Sequence, residues 1–94
     1  MKFKVTDSEN ISTVFLNGEI DMDSAEDVRE VIFPLIDSGK EVHLNLKDVQ
    51  YMDSSGISVI VESSKRAKDK NTKVELKEVS QPVEKVLAMA RKFL

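Results

Sequence analysis

Three times along this chain, a short run with apolar residues at every second position hands over to a run with apolar residues three and four apart. Period two is a strand with one buried face, and the longer period is a helix with one buried stripe. Few folds absorb that recurrence. Ile11 to Leu16 is rich in β-branched and aromatic residues and runs on into Asn17-Gly18-Glu19-Ile20-Asp21. It is followed by Ala25, Val28, Ile32, Leu35 and Ile36 at helical spacing. Val42, Leu44 and Leu46 alternate with His43 and Asn45, and Lys47 to Asp53 leads to Ile57, Ile60, Val61, Ser64 and Ala67. Val74 and Leu76 form the last alternating run, before Val83, Val86, Leu87, Ala90 and Phe93.

Ahead of these, Lys2 to Thr6 alternates as a half-buried strand would, and the Ser8-Glu9-Asn10 turn joins it to the next strand as a hairpin. The predicted order is β-β-α-β-α-β-α: one α/β domain over residues 1–94, with a single small mixed sheet and three helices packed on it. Local signals agree. Asp23 and Ser24 are good N-caps, and Asp23-x-x-Glu26 resembles a capping box. Ser38-Gly39 supplies a helix stop, and Ser80-Gln81-Pro82 a helix start. Pro34 conflicts with its helix, since an interior proline removes a hydrogen bond at a cost of about 3 kcal/mol, so a kink or early ending is expected there.

At 94 residues, the chain has little core to spare for an enclosed cavity, which directs function to the surface or to an element end. The net charge of −3, with signs interspersed, offers nucleic acid no cationic footprint. Without cysteine there is no disulfide and no thiolate metal site, and one histidine excludes a multi-histidine cluster. MKFKVTDSEN lacks a signal peptide's apolar core, and no apolar run approaches the ~20 residues that span a bilayer. A cytoplasmic protein with no membrane contact is expected.

The segment with chemical potential is Tyr51-Met52-Asp53-Ser54-Ser55-Gly56-Ile57, where a strand meets a helix. Sites in open α/β sheets gather outside the strands' carboxyl ends. A helix N-terminus there has free N–H groups and about half a positive charge, so either serine could cap it or carry a phosphate that those groups receive. Gly56 would leave room for a partner's active site to approach. Ordinary helix capping explains the same four residues Asp53 to Gly56. An enzyme is not expected. His43, the one imidazole, reads as a sheet-face residue, no Gly-x-Ser-x-Gly elbow is present, and Gly18, Gly39 and Gly56 form no phosphate cradle. Glu19, Asp21, Asp23 and Asp27 lack calcium-loop spacing, and helix capping explains Asp23 and Asp27 better than a cation does, so no metal or cofactor is expected.

Asn17-Gly18-Glu19-Ile20-Asp21 before a capped helix, Leu44-Asn45-Leu46-x-x-Val49-x-x-Met52-Asp53-Ser54-Ser55-Gly56-Ile57, and Val79-Ser80-x-Pro82-Val83-x-x-Val86-Leu87 together resemble STAS domains, the fold of anti-sigma factor antagonists and sulfate transporter tails. The resemblance covers nearly the whole chain. It implies that Ser54, directly after Asp53, is the phosphoacceptor, and that the partner surface comprises Asp21, Met22, Ser24, Asp53, Ser55, Gly56 and Ile57. The implied partner is an anti-sigma factor that is also an ATP-binding serine kinase, with a cognate phosphatase to reverse the modification. An accessory STAS module of a transporter, lipid-transport or stress complex, without phospho-switching, is the alternative the same motifs allow.

Overall fold

The structure, a computed structural model, describes residues 3–90. The elements run β1 (Lys4–Asp7), β2 (Ile11–Ile20), α1 (Ala25–Asp37), β3 (Glu41–Met52), α2 (Ser54–Asp69), β4 (Val74–Lys77) and α3 (Gln81–Ala90). The expected order and mixed sheet are found. The strands lie in the order β1-β2-β3-β4, with the hairpin pair antiparallel and both later pairs parallel. No helix among the described residues is long and apolar enough to cross a membrane.

The core follows the two periods. Val14, Leu16 and Ile20 of β2, Val42, Leu44 and Leu46 of β3, and Val28, Ile32 and Ile36 of α1 are all buried. Each such side chain contributes about 1.5–3 kcal/mol. β3 is longer than the alternation suggested, because its second half buries Leu46, Val49 and Met52 and exposes the pairs between them. The pairing of β2 with β3 slips between Phe15 and Asn17 and again between Gly18 and Glu19, and Gly18 takes the positive φ of 71° in that stretch. Buried Asn45 holds the irregular region, its amide donating to Glu78 and its oxygen accepting from the Lys47 N–H.

Four expectations are corrected. β1 is exposed at all four positions, being an edge strand while α1 and α2 pack over the middle of the sheet (Lys2 lies outside the described residues). α1 does not end early at Pro34 but continues to Asp37. The carbonyl deprived of its donor belongs to Glu30, which like Pro34 is exposed and open to water. Gly39, at φ 86°, then closes the helix with its N–H on the Ile36 carbonyl. On α2 the buried line is Gly56, Val59, Ser63 and Ala67, with Ile57, Ile60 and Val61 half-buried beside it and Ser64 in solvent. Three small residues on that line bring the helix close to the layer beneath. The capping box at Asp23 is absent, for reasons given with the site. On α3, Val83 and Leu87 are buried as expected, while Phe93 and the Ala90 side chain lie outside what is described.

At the far end of the sheet, His43 faces Glu41 at 2.5 Å and Glu75 at 3.4 Å. Lys77 and Lys73 bond to the Glu75 carboxylate at 3.0 and 3.1 Å. These two ammonium groups, Lys77 foremost, pull the Glu75 carboxyl down to about 2 from an ordinary 4.5. A depressed acid contributes stability above its unfolded value and loses it as pH falls towards the folded one. Wild-type melting temperature should therefore drop between about pH 4.5 and about 2 more steeply than that of Glu75→Gln, with added salt narrowing the difference. Equal slopes in thermal melts would show that Glu75 contributes nothing.

Ser63 is wholly buried, and among the described residues its hydroxyl has no hydrogen-bond partner. Ser63→Ala removes an unsatisfied polar atom without opening a cavity of note, and should raise stability by about 1 kcal/mol in urea unfolding. A loss of stability would mean that the hydroxyl is satisfied in solution.

Candidate functional site

The site is built where β2 and β3 end side by side. Ile20 pairs with Met52, and the Asp53 N–H reaches on to the Ile20 carbonyl at 3.3 Å. Asp53 has extended backbone angles, φ −111° and ψ −166°, and is the N-cap of α2. Its carboxylate accepts from the Ser55 N–H at 2.8 Å, and its carbonyl accepts from those of Gly56 and Ile57 at 3.1 and 3.2 Å. One residue thus satisfies three donors of the first turn.

This overturns the expectation that a serine caps the helix. Ser54 stands at the first helical position, exposed, with no hydrogen-bond partner for its hydroxyl among the described residues. Ser55 is half-buried. Because Asp53 already occupies the N–H groups of residues 55–57, a group added to Ser54 would not be received into the helix end as expected. It would point outwards beside the Asp53 carboxylate, still within the favourable field of the helix N-terminus.

Gly56 also acts otherwise than expected. It is buried, and a Cβ there would lie 2.5 Å from Cγ of Met52 and 3.0 Å from Cγ2 of Ile20. The missing side chain lets α2 seat on the two strand ends rather than clearing a path from outside. Ile57, half-buried, packs against the same core.

The loop from β2 to α1 is locked by its own polar groups. The Asp21 carboxylate accepts from the N–H groups of Asp23 and Ser24 at 3.0 and 3.1 Å. The Ser24 hydroxyl accepts from the Asp21 N–H at 3.0 Å and donates to the Glu19 carbonyl at 2.8 Å. Asp21 therefore does the work expected of Asp23, and Ser24 is the N-cap by position without capping through its side chain. Of the seven contact residues expected, Ser24 and Gly56 are buried beneath the surface. Asp21, Asp53, Ser55 and Ile57 are half-buried, and Met22 is 78 % exposed. Sequence reading missed Tyr51, 49 % exposed on the last turn of β3 beside Glu19. No sequence signal marked it: alternation from Val49 turns Tyr51 inwards, and only the three-residue spacing of buried Val49 and Met52 turns it out.

His43 takes no part, lying near the start of β3, roughly 30 Å of strand away from its end. A shallow groove beside α1 contains Arg29 and Arg66, but Arg29 is paired with Glu62 and Arg66 with Asp37.

A family model described as the STAS domain matches residues 2–93. The chain belongs to the STAS domain family. Within it, the anti-sigma-B factor antagonist of Bacillus subtilis (strain 168) is 39 % identical over 77 residues, spanning 82 % of this chain and 71 % of that protein. Among solved structures, the anti-sigma factor antagonist SpoIIAA in its unphosphorylated form superposes with a TM-score of 0.82 at 22 % identity, over 96 % of this chain and 81 % of that one. The Bacillus SpoIIAA in its phosphorylated form gives 0.76 at 22 %, over 95 % and 83 %. At that identity the likeness is one of fold.

In this STAS domain, capping and hydroxyl presentation are assigned to different residues. Asp53→Ala should cost about 1 kcal/mol of stability by urea unfolding, and Ser54→Ala a few tenths at most. Comparable losses would return the cap to the serine.

Proposed function

We propose that this protein is an anti-sigma factor antagonist: unphosphorylated, it binds an anti-sigma factor serine kinase in the cytoplasm and so releases the sigma factor. Phosphorylation of Ser54 ends that binding. The observation that carries this reading is the exposed, unpartnered Ser54 hydroxyl on a rigid helix start whose cap is supplied by Asp53. Support comes also from the name of the 39 % identical Bacillus relative and from SpoIIAA, a protein of the same fold with a phosphorylated form.

The chemistry asks little of this chain. The Ser54 Oγ attacks the γ-phosphorus of ATP held by the kinase. An Oγ–P bond forms, the bond to the β-phosphate oxygen breaks, ADP leaves, and the hydroxyl proton passes to the kinase or to water. The antagonist is the substrate of this step and holds its acceptor oxygen out for it. A cognate phosphatase would hydrolyse the ester and restore the hydroxyl.

Phosphorylation adds about −1.5 to −2 charges beside Asp53. Docking must then desolvate a dianion next to a carboxylate, and each ~1.4 kcal/mol of that cost is tenfold in affinity. No rearrangement of the fold is required. Met22, Asp21, Asp53, Ser55 and Ile57 border the acceptor and form the contact surface in this reading, while Ser24 and Gly56 act beneath it by shaping the loop and seating the helix.

Two variants test the proposal against plain capping. Ser54→Ala should keep partner affinity and lose all phosphate incorporation, read by mass spectrometry after incubation with ATP and the host's anti-sigma factor kinase. Ser54→Asp should hold or slightly raise the melting temperature, since an acid in the first turn gains about 0.3–1 kcal/mol from the dipole, less repulsion from Asp53. Its affinity for the same kinase should fall at least tenfold in titration calorimetry. Phosphate found on the alanine variant, or undiminished affinity of the aspartate variant, would sink the proposal.

A further inference from the structure

Charge is distributed unevenly with respect to this site. Residues 17–27 and 48–58, which form the ends of β2 and β3 and the turns that follow, contain seven of the 17 acidic residues and none of the 14 Lys and Arg. The other ten acids and all 14 cations leave the rest of the chain at +4, against −7 here, which together make the net −3. Among the described residues, Glu19, Asp23 and Asp48 make no ion pair, and all three are exposed. One acid of this end is paired: Glu26 shares Arg29 with Glu62, and Lys47 stands five residues short of the end of β3.

Within this acidic end stand two exposed apolar side chains, Met22 and Tyr51, at 78 % and 49 %. They rise from neighbouring strand ends, since Tyr51 pairs in register with Glu19 and Met22 follows Ile20 by two residues. An exposed aromatic and a methionine inside a charged rim match the residue types that anchor protein interfaces. An acidic rim repels nucleic acid and anionic lipid alike.

Resting on the function proposed above, we infer that the partner meets this surface with a cationic face enclosing an apolar pocket. The acidic end steers the encounter, and Met22 and Tyr51 hold the complex together once formed. Phosphorylation then adds charge to a region already negative. It deepens rather than reverses the long-range attraction of a cationic partner, and it acts by obstructing the close fit. Steering and release are thereby assigned to different distances from the partner.

The measurement is surface plasmon resonance of the full chain against the host's anti-sigma factor kinase, recorded across a range of salt concentrations. The association rate should fall tenfold or more from low to high salt. Glu19→Lys and Asp48→Lys should each slow association with dissociation unchanged, while Asp69→Lys, at the other end of α2, should not slow it. Met22→Ala and Tyr51→Ala should speed dissociation tenfold or more with association nearly constant. Thermal melts of every variant confirm folding, and Asp48→Lys carries the steering test if Glu19→Lys disturbs the strand. Binding that is abolished by Ser54 phosphorylation yet insensitive to salt, to Asp48→Lys and to Tyr51→Ala would overturn this inference and leave the switch standing. Absence of binding by the unmodified protein at every salt concentration would remove both.

Discussion

Parallel pairing of β2 with β3 brings Ile20 beside Met52, and nearly everything at the functional end follows from that contact. It sets the two loops that follow the strands side by side, and it creates the apolar floor on which Gly56 rests without a Cβ. α2 begins directly on this floor, so there is no slack between strand and helix. Asp53 bridges the junction by bonding back to Ile20 and forward to residues 55–57. The position of Ser54 is thus inherited from the sheet, which would present the proposed phosphoacceptor in one fixed place.

The polar interactions fall into two groups by what they serve. Asp7 with Ser12 and Lys40, Asn45 with Glu78, and Ser80 with the Val49 carbonyl tie chain segments that hydrophobic burial alone would leave loosely registered. Asp21 with Ser24 and Asp53 with Ser55 instead shape the two loops at the ends of β2 and β3. Those loops use up their own donors and acceptors internally. What they offer outwards is a charged rim and two apolar side chains, with few backbone groups left to pair.

Most of the architecture was legible because period two and period 3.6 are recorded directly in which residues are apolar. Legibility failed where burial departed from either period. The second half of β3 buries every third residue, because the slipped pairing with β2 rotates it, and alternation cannot register that. β1 alternates in sequence but has no layer to face. On α2, small residues carry the inward line, and Gly56 and Ser63 are invisible to a search for apolar spacing. At the site, the chemistry of Asp53-Ser54-Ser55-Gly56 was evident, but which side chain caps the helix was not. Asp and Ser are equally good caps, and only the extended backbone of Asp53 decides between them.

Because Asp53 rather than Ser54 completes the helix start, a phosphate on Ser54, as proposed above, would leave these internal bonds in place. Proteases and quality-control chaperones respond to the fraction of time a domain spends open. Two forms that open equally often are degraded equally fast. Under the proposed switch, turnover common to both forms would set the total stock of this protein, and kinase and phosphatase the ratio between them. A signal passed through the proposed switch would be stored as a proportion within one shared pool, to be rewritten in either direction without making a new molecule.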